Sequence, residues 1–242
     1  PESLWLRAGI QPATLERLAE ADAFAGLGLT RRDALWAMRA IRAPKPLPLF
    51  ADPLDGEGLR EPQVVLPPMH LGEEVVEDYV ALRLTLRAHP MELLRPSIPG
   101  LTPHDKLPTA PLQRTTVCGL VITRQRPGTS SGVIFITLED ETGVSNIVVW
   151  PRVYEQFRRT VIGGRLLRVT GRLEREGIVV HLIADHVEDL SYRLSDLGSP
   201  MDEAVGITKA EVDDAPRPAR QPARAMHPRE QAKRLFPSRD FH

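Results

Sequence analysis

The sequence predicts a multi-domain α + β protein, with a helical module first and a small five-stranded β-barrel after it. Apolar residues recur at helical spacing up to about residue 88, whereas short β-branched runs separated by turn residues begin at Arg114. The 23 prolines cluster, which indicates modules joined by stiff connectors. The predicted parts are a helical module at 1–43, a Pro-rich connector at 44–70, a helical linker region at 71–111, the barrel at 112–190 and a flexible, disordered tail at 191–242.

Two helices are predicted within residues 3–43, separated by a short stretch that contains glycine. Pro12 suits a first helical turn, and the second helix restarts at Thr30 with Asp33 as its capping-box partner. The arrangement resembles a helix-hairpin-helix, in which glycines let the backbone approach a phosphate and the next helix directs its N–H groups at it. The predicted phosphate-binding residues are Gly26, Gly28, Arg31 and Arg32. The alternative is that the glycines only form a tight turn.

A third helix is predicted over 71–88, where apolar residues form a wide stripe that includes Leu82, Leu84 and Leu86. His89–Pro90 should end it, because a residue before proline disfavours the helical conformation. A second Pro-rich stretch at 96–111 then separates this helix from the strands.

The second half of the chain predicts a barrel. Its expected elements are strands at 115–125, 133–140, 144–150, 165–174 and 178–187, with a helix at 151–161. Five strands with a helix between the third and the fourth is the order of the OB-fold barrel. If Ile134, Ile136 and Leu138 fill the barrel, strand alternation places Val133, Phe135 and Thr137 on its outer face.

An outward-facing aromatic on the second strand suits base stacking, worth roughly 1–3 kcal/mol per base. Between Arg114 and Val187 there are ten arginines and seven acidic residues, enough for a groove that tracks a nucleic-acid backbone. The predicted nucleic-acid-binding residues of the barrel are Arg124, Arg126, Phe135, Thr137, Trp150, Arg172 and Arg175. The alternatives are that another domain covers Phe135 and that the arginines form a solvated surface.

Composition limits the remaining function classes. The net charge of −1 means that any site for a polyanion must be local. The single cysteine, Cys118, excludes an internal disulfide and favours a reducing, cytoplasmic location. Apolar runs stay below 18 residues, so no membrane span is expected. We find no nucleophile–base pair, Walker loop or zinc signature, and expect no catalytic residue, metal or cofactor in this chain. The start at Pro1, without Met, predicts a fragment of a longer protein.

Four segments together resemble one family, namely 15–36, 83–95, 117–143 and 227–242. Among them RQRPGTSSGVIFITLEDETG (124–143) and HPREQAKRLFPSRDFH (227–242) are the most specific. They are similar to the C-terminal part of the bacterial error-prone C-family DNA polymerase, a paralogue of the replicative polymerase that acts in damage tolerance. The resemblance covers nearly the whole chain.

The resemblance implies a parent nucleotidyltransferase that performs translesion synthesis and damage-induced mutagenesis. Its Mg²⁺-binding catalytic aspartates would lie upstream of this chain. It also implies that the helix-hairpin-helix grips duplex DNA and that the OB domain meets the single-stranded template. The implied protein partners are an inactive Y-family-like polymerase subunit and, indirectly, the sliding clamp.

One connector segment departs from the pattern of the related replicative enzyme, which carries a sliding-clamp peptide with a leading Gln. Here the matching segment, 46–50, begins with Pro46, so direct clamp binding by this segment stays open. Two other interpretations also stay open: an OB module that recruits protein partners, and the anticodon-binding OB module of a synthetase. The sequence leaves undecided the strand polarity on the barrel, the lesion range, the fidelity, and whether the tail folds on a partner.

Overall fold

The computed structural model describes residues 7–41, 66–128, 132–177, 179–198 and 228–240. The chain divides into two compact units, Pro1–Met69 and His70–His242. The predicted connector up to residue 65, including the clamp-like segment 46–50, lies outside the described residues. Within the described ranges, no helix combines the length and apolar character needed to cross a membrane.

The first unit contains the predicted pair of helices, α1 (Pro12–Glu20) and α2 (Arg31–Ala40). A 3₁₀ turn and Gly28, whose φ of +75° favours glycine, connect them. At the start of α2 the Thr30 hydroxyl accepts a hydrogen bond from the Asp33 amide at 3.2 Å and donates to its carboxylate at 2.6 Å. The pair closes over a small core of Leu15, Ala19, Phe24, Ala34 and Met38.

The second unit begins with α3 (Leu71–Ala81) and α4 (Pro90–Leu94), joined by an extended segment. The prediction of one helix over 71–88 is therefore wrong after residue 81. Leu82, Leu84 and Leu86 recur at every second position, a spacing that cannot share one face of a helix. His89 does not end the helix but caps α4, because its Nδ1 accepts a hydrogen bond from the Met91 amide at 3.0 Å.

The barrel has the predicted strand order and confirms the OB-fold. Its elements are β1 (Arg114–Gln125), β2 (Ile134–Asp140), β3 (Gly143–Val149), α5 (Pro151–Gly163), β4 (Leu166–Glu176) and β5 (Val179–Asp189). Strand β1 pairs with both β2 and β4, and β3 pairs in parallel with β5, which closes the barrel. Inside it, Ile134, Ile136 and Leu138 are at most 2% exposed.

The β2–β3 turn is fixed by Asp140. Its carboxylate accepts hydrogen bonds from the Thr142 amide at 2.8 Å and the His104 amide at 3.0 Å, and pairs with Arg95 at 3.0 Å. Burial alone would raise the pKa of Asp140, but these hydrogen bonds and the Arg95 charge outweigh it and lower that pKa. Asp140 therefore holds the turn that joins the two strands.

A second core covers the outer face of β1 and β4. It is formed by α4, by the 3₁₀ helix Ser191–Gly198 and by α6 (Pro228–Leu235). Its buried residues are Met91, Leu94, Ile98, Cys118, Leu120, Leu166, Leu190, Leu194, Leu197, Ala232 and Phe236. This packing leaves the outer face of β2, β3 and β5 as the barrel surface on which Phe135 lies.

The prediction of a disordered tail over 191–242 is wrong for both of its described parts. Leu194 and Leu197 are buried in the first part, and Phe236, in the second, packs its ring 4.5 Å from that of Tyr79. After α6 the short strand β6 (Arg239–Asp240) pairs in parallel with the C-terminal half of β1. These contacts bury enough apolar surface to offset the entropy of ordering the segments.

Candidate nucleic-acid interface

Strand register places Phe135 in a row of side chains that runs across the barrel. It faces Gln125 of β1 on one side and Val148 of β3 on the other. Val148 pairs with Ile183 of β5, and Ile183 pairs with Arg172 of β4. These five side chains, here called the Phe135 row, lie on the outer face of five adjacent strands. Phe135 and Ile183 are half-buried, Val148 between them is only 8% exposed, and the row ends at an exposed arginine.

A polar row runs beside it. Thr137 pairs with Thr123 of β1 and Asn146 of β3, and Asn146 pairs with His181 of β5. Thr137 is half-buried and Asn146 is exposed. The face therefore offers an apolar strip for base planes next to hydroxyl, amide and imidazole groups that can form hydrogen bonds. Of the three residues predicted on the outer face of the second strand, Val133 is the exception. It is 7% exposed, because β2 and its alternation begin only at Ile134.

A cationic aromatic cluster lies at the end of the barrel where β1 leaves and α5 begins. The Arg126 guanidinium carbon is 5.5 Å from the centroid of the Tyr154 ring, and that of Arg158 is 6.0 Å away. Trp150, the residue before α5, is 52% exposed. Both cations lie within the range of a cation–π interaction. Sequence reasoning missed Tyr154, although its spacing of four residues from Arg158 places the two side chains together on a helix.

Arg124 is not a nucleic-acid contact, contrary to the prediction. It is 3% exposed, and its Nε donates to the carbonyl of Val161 at 2.5 Å while Nη2 donates to that of Gly164. It therefore caps the C-terminus of α5. A register shift between Val121 and Thr123 interrupts the alternation of β1, so that Arg124 pairs with the inward-facing Ile136.

Arg172 and Arg175, both predicted to bind nucleic acid, differ in how free their guanidinium groups are to contact a phosphate. The exposed Arg172 lies 2.5 Å from the Glu174 carboxylate, itself exposed, so this pair can open at little cost. The Arg175 guanidinium donates to the carbonyls of Leu107, at 3.1 Å, and Ala110. Arg175 thus holds the segment before β1 against the barrel. Its guanidinium is therefore engaged within the protein and is not part of the candidate interface.

The helical pair retains part of its predicted phosphate site. Gly26 and Gly28 are exposed, and a side chain added at either would meet nothing within 4 Å. Arg31 cannot reach a ligand because it is only 1% exposed and lies on the same face of α2 as the buried Ala34 and Met38. Arg32 donates to the carbonyl of Pro67 at 2.8 Å. The exposed glycine backbone is therefore the remaining candidate contact.

No group of three His, Cys, Asp or Glu side chains that could hold a metal ion occurs in the part of the chain that the structure describes. The thiol of Cys118 is buried, and burial raises its pKa to about 12. A thiol with so high a pKa is a poor nucleophile and a poor metal ligand at neutral pH.

Comparison with known proteins confirms the family resemblance. Residues 115–190 match the family of OB-fold nucleic acid binding domains. The chain is 77% identical over 242 residues to an error-prone DNA polymerase of Ruegeria pomeroyi, covering 100% of this chain and 22% of the relative. It is 47% identical to error-prone DNA polymerase 1 of Rhizobium meliloti, covering 78% of this chain and 17% of the relative.

The chain thus spans about a fifth of the length of these relatives, at their C-terminal end. Among solved structures, asparaginyl-tRNA synthetase from Pyrococcus horikoshii aligns with 38% of this chain and 23% of its own. The identity is 21% and the TM-score 0.34, which is too weak a match to inform function.

Proposed function

We propose that this chain, which is similar over its whole length to the C-terminal part of error-prone DNA polymerases, gives such a polymerase a binding face for single-stranded DNA. The observation that carries the proposal is the Phe135 row. It places one aromatic and two aliphatic side chains in register on the outside of an OB barrel and ends at the exposed Arg172.

The dimensions of the row suit a short stretch of unpaired strand. Five adjacent strands spaced about 4.8 Å apart give a path of about 19 Å along the barrel surface. Bases would stack on Phe135, and Arg126 and Arg172 at the two margins would contact the phosphates. Trp150 offers a second stacking platform beside Arg126. OB folds of this kind cover roughly 4–16 nucleotides.

The remaining functional assignments follow from this proposal and the resemblance. Polymerisation with Mg²⁺ would be carried out by upstream parts of the longer protein, during damage-induced, translesion synthesis in the cytoplasm. The backbone around Gly26 and Gly28 would hold duplex phosphates. An inactive Y-family-like subunit, and through it the sliding clamp, would recruit the polymerase.

The proposal is tested by titrating the 242-residue chain into a labelled oligo(dT) of about 16 nucleotides at increasing salt. Because each phosphate contact to a single strand contributes about −0.7 to the slope of log K against log salt, we expect a slope of about −1.4 for the two contacts of Arg126 and Arg172. Arg126→Ala should reduce its magnitude by about 0.7.

The matched control is Lys233→Ala, which removes an exposed cation on α6, away from the Phe135 row, and should leave the slope unchanged. A chain that does not bind oligo(dT) at low salt would contradict the proposal. So would an affinity for oligo(dT) that does not fall as salt is raised, because phosphate contacts would then be absent.

A further inference from the structure

The segment between α3 and α4 exposes three leucine side chains to solvent. Leu82, Leu84 and Leu86 are 47%, 51% and 94% exposed. We call residues 82–87 the leucine loop. An aliphatic side chain that is almost wholly exposed is unremarkable by itself, but several in one short segment form the kind of surface that soluble proteins use for binding.

The residues between the leucines hold this loop in place. Arg83 donates to the carbonyl of Arg234 at 2.6 Å, and the Thr85 hydroxyl donates to the Asp78 carboxylate at 2.8 Å. Arg87 donates to the same carboxylate at 3.2 Å. Arg83 also has a φ of +66°, which a non-glycine residue adopts only when its surroundings impose it. The odd-numbered residues thus fix the loop, and the even-numbered ones present leucines.

A cleft of about 540 Å³ lies beside the loop, and Leu84 and Leu86 form part of its wall. Leu120, Val121 and Ile122 of β1 line it together with the paired rings of Tyr79 and Phe236. Its volume is in the range of ligand-binding clefts, and its lining combines aliphatic and aromatic side chains with a comparable share of polar and charged ones. The cleft therefore suits a chain segment that carries both apolar and charged side chains.

Carboxylates give the cleft its charge. Glu92, Glu139 and Glu141 line it. Glu141 is bound by Arg95, whereas neither Glu92 nor Glu139 forms an ion pair within the described ranges. The two arginines of the cleft wall already contact a carbonyl and carboxylates of the protein. Burial and the charge of Glu139 together raise the pKa of Tyr79 to about 12, which shows that Glu139 acts on the interior of the cleft.

We propose that this cleft is a docking site for a separate protein, and that it binds an aliphatic peptide segment carrying a lysine or arginine. The peptide's aliphatic side chains would cover Leu84 and Leu86, and its cation would pair with Glu139 or Glu92. A DNA strand is disfavoured here because its phosphates would meet these carboxylates. The site is independent of the Phe135 row, and it gives the polymerase a surface for recruitment next to its DNA face.

The test is selection of peptides from a random dodecapeptide phage library on the immobilised 242-residue chain, followed by affinity measurement with synthetic copies. Enriched peptides should combine aliphatic residues with at least one Lys or Arg. Leu86→Asp should weaken their binding at least tenfold, and Glu139→Gln should weaken it less. Phe135→Ala should leave it unchanged. Since Leu86 is 94% exposed, its variant should keep the thermal unfolding of the wild type.

Four outcomes would overturn the proposal. They are the absence of enriched peptides, enrichment of acidic peptides, binding that Leu86→Asp does not affect, and displacement of the peptide by oligo(dT). Self-association of the chain in sedimentation experiments, abolished by Leu86→Asp, would also overturn it, because the occupant would then be a second copy of this chain.

Discussion

Replacing Phe236 with alanine should lower the free energy of unfolding of the second unit by about 3–5 kcal/mol, the range measured for buried Phe→Ala changes. Phe236 is 4% exposed and packs against Tyr79 and the outer face of the barrel. Its removal would leave a cavity between α6 and the rest of the second core. Denaturant unfolding of the full chain, followed by far-UV circular dichroism, measures the change.

The matched control is Tyr192→Ala in the same unit. That ring is 53% exposed, so its loss should change the free energy of unfolding by less than about 0.5 kcal/mol. If Phe236→Ala cost no more than the control, the C-terminal segment would not be an integral part of the unit, and the described packing of α6 would be wrong.

The double variant Phe135→Ala/Trp150→Ala should lose at least about 2 kcal/mol of affinity for oligo(dT), or about 30-fold, if each ring stacks on a base. Phe135 is half-buried and Trp150 is exposed, so the double variant should keep the fold. Fluorescence anisotropy at low salt measures the affinity. Leu86→Ala, which trims an exposed apolar side chain away from the row, is the control and should bind like the wild type. Equal affinities for all three proteins would exclude stacking on this face.

The barrel and its outer face could be predicted because strand alternation is a local property. Once the five strands were recognised, the period of two in β2 was enough to place Ile134 and Ile136 inside and Phe135 outside. The same argument failed for Arg124, because the register shift after Val121 is determined by pairing with β2 and leaves no mark in the sequence of β1 itself.

The other differences arise from side-chain contacts that helical or strand periodicity does not record. The end of α3 depends on how Asp78 binds Thr85 and Arg87, which competes with continuation of the helix. The folded C-terminal segment depends on the meeting of Phe236 with Tyr79 across more than 150 residues. Neither a propensity nor a periodicity contains such information. The leucine loop was predicted as a helical stripe because its leucines directly follow the apolar stripe of α3.

The central claim, that unpaired DNA lies along the Phe135 row, is tested most directly by photo-crosslinking. Oligo(dT) containing 5-iododeoxyuridine would be irradiated with the chain, digested with trypsin and analysed by mass spectrometry. The tryptic peptide 125–152 contains both Phe135 and Trp150. We expect this peptide to carry the main crosslink and to lose it in Phe135→Ala/Trp150→Ala. Crosslinks confined to other peptides, such as that of the leucine loop, would contradict the claim.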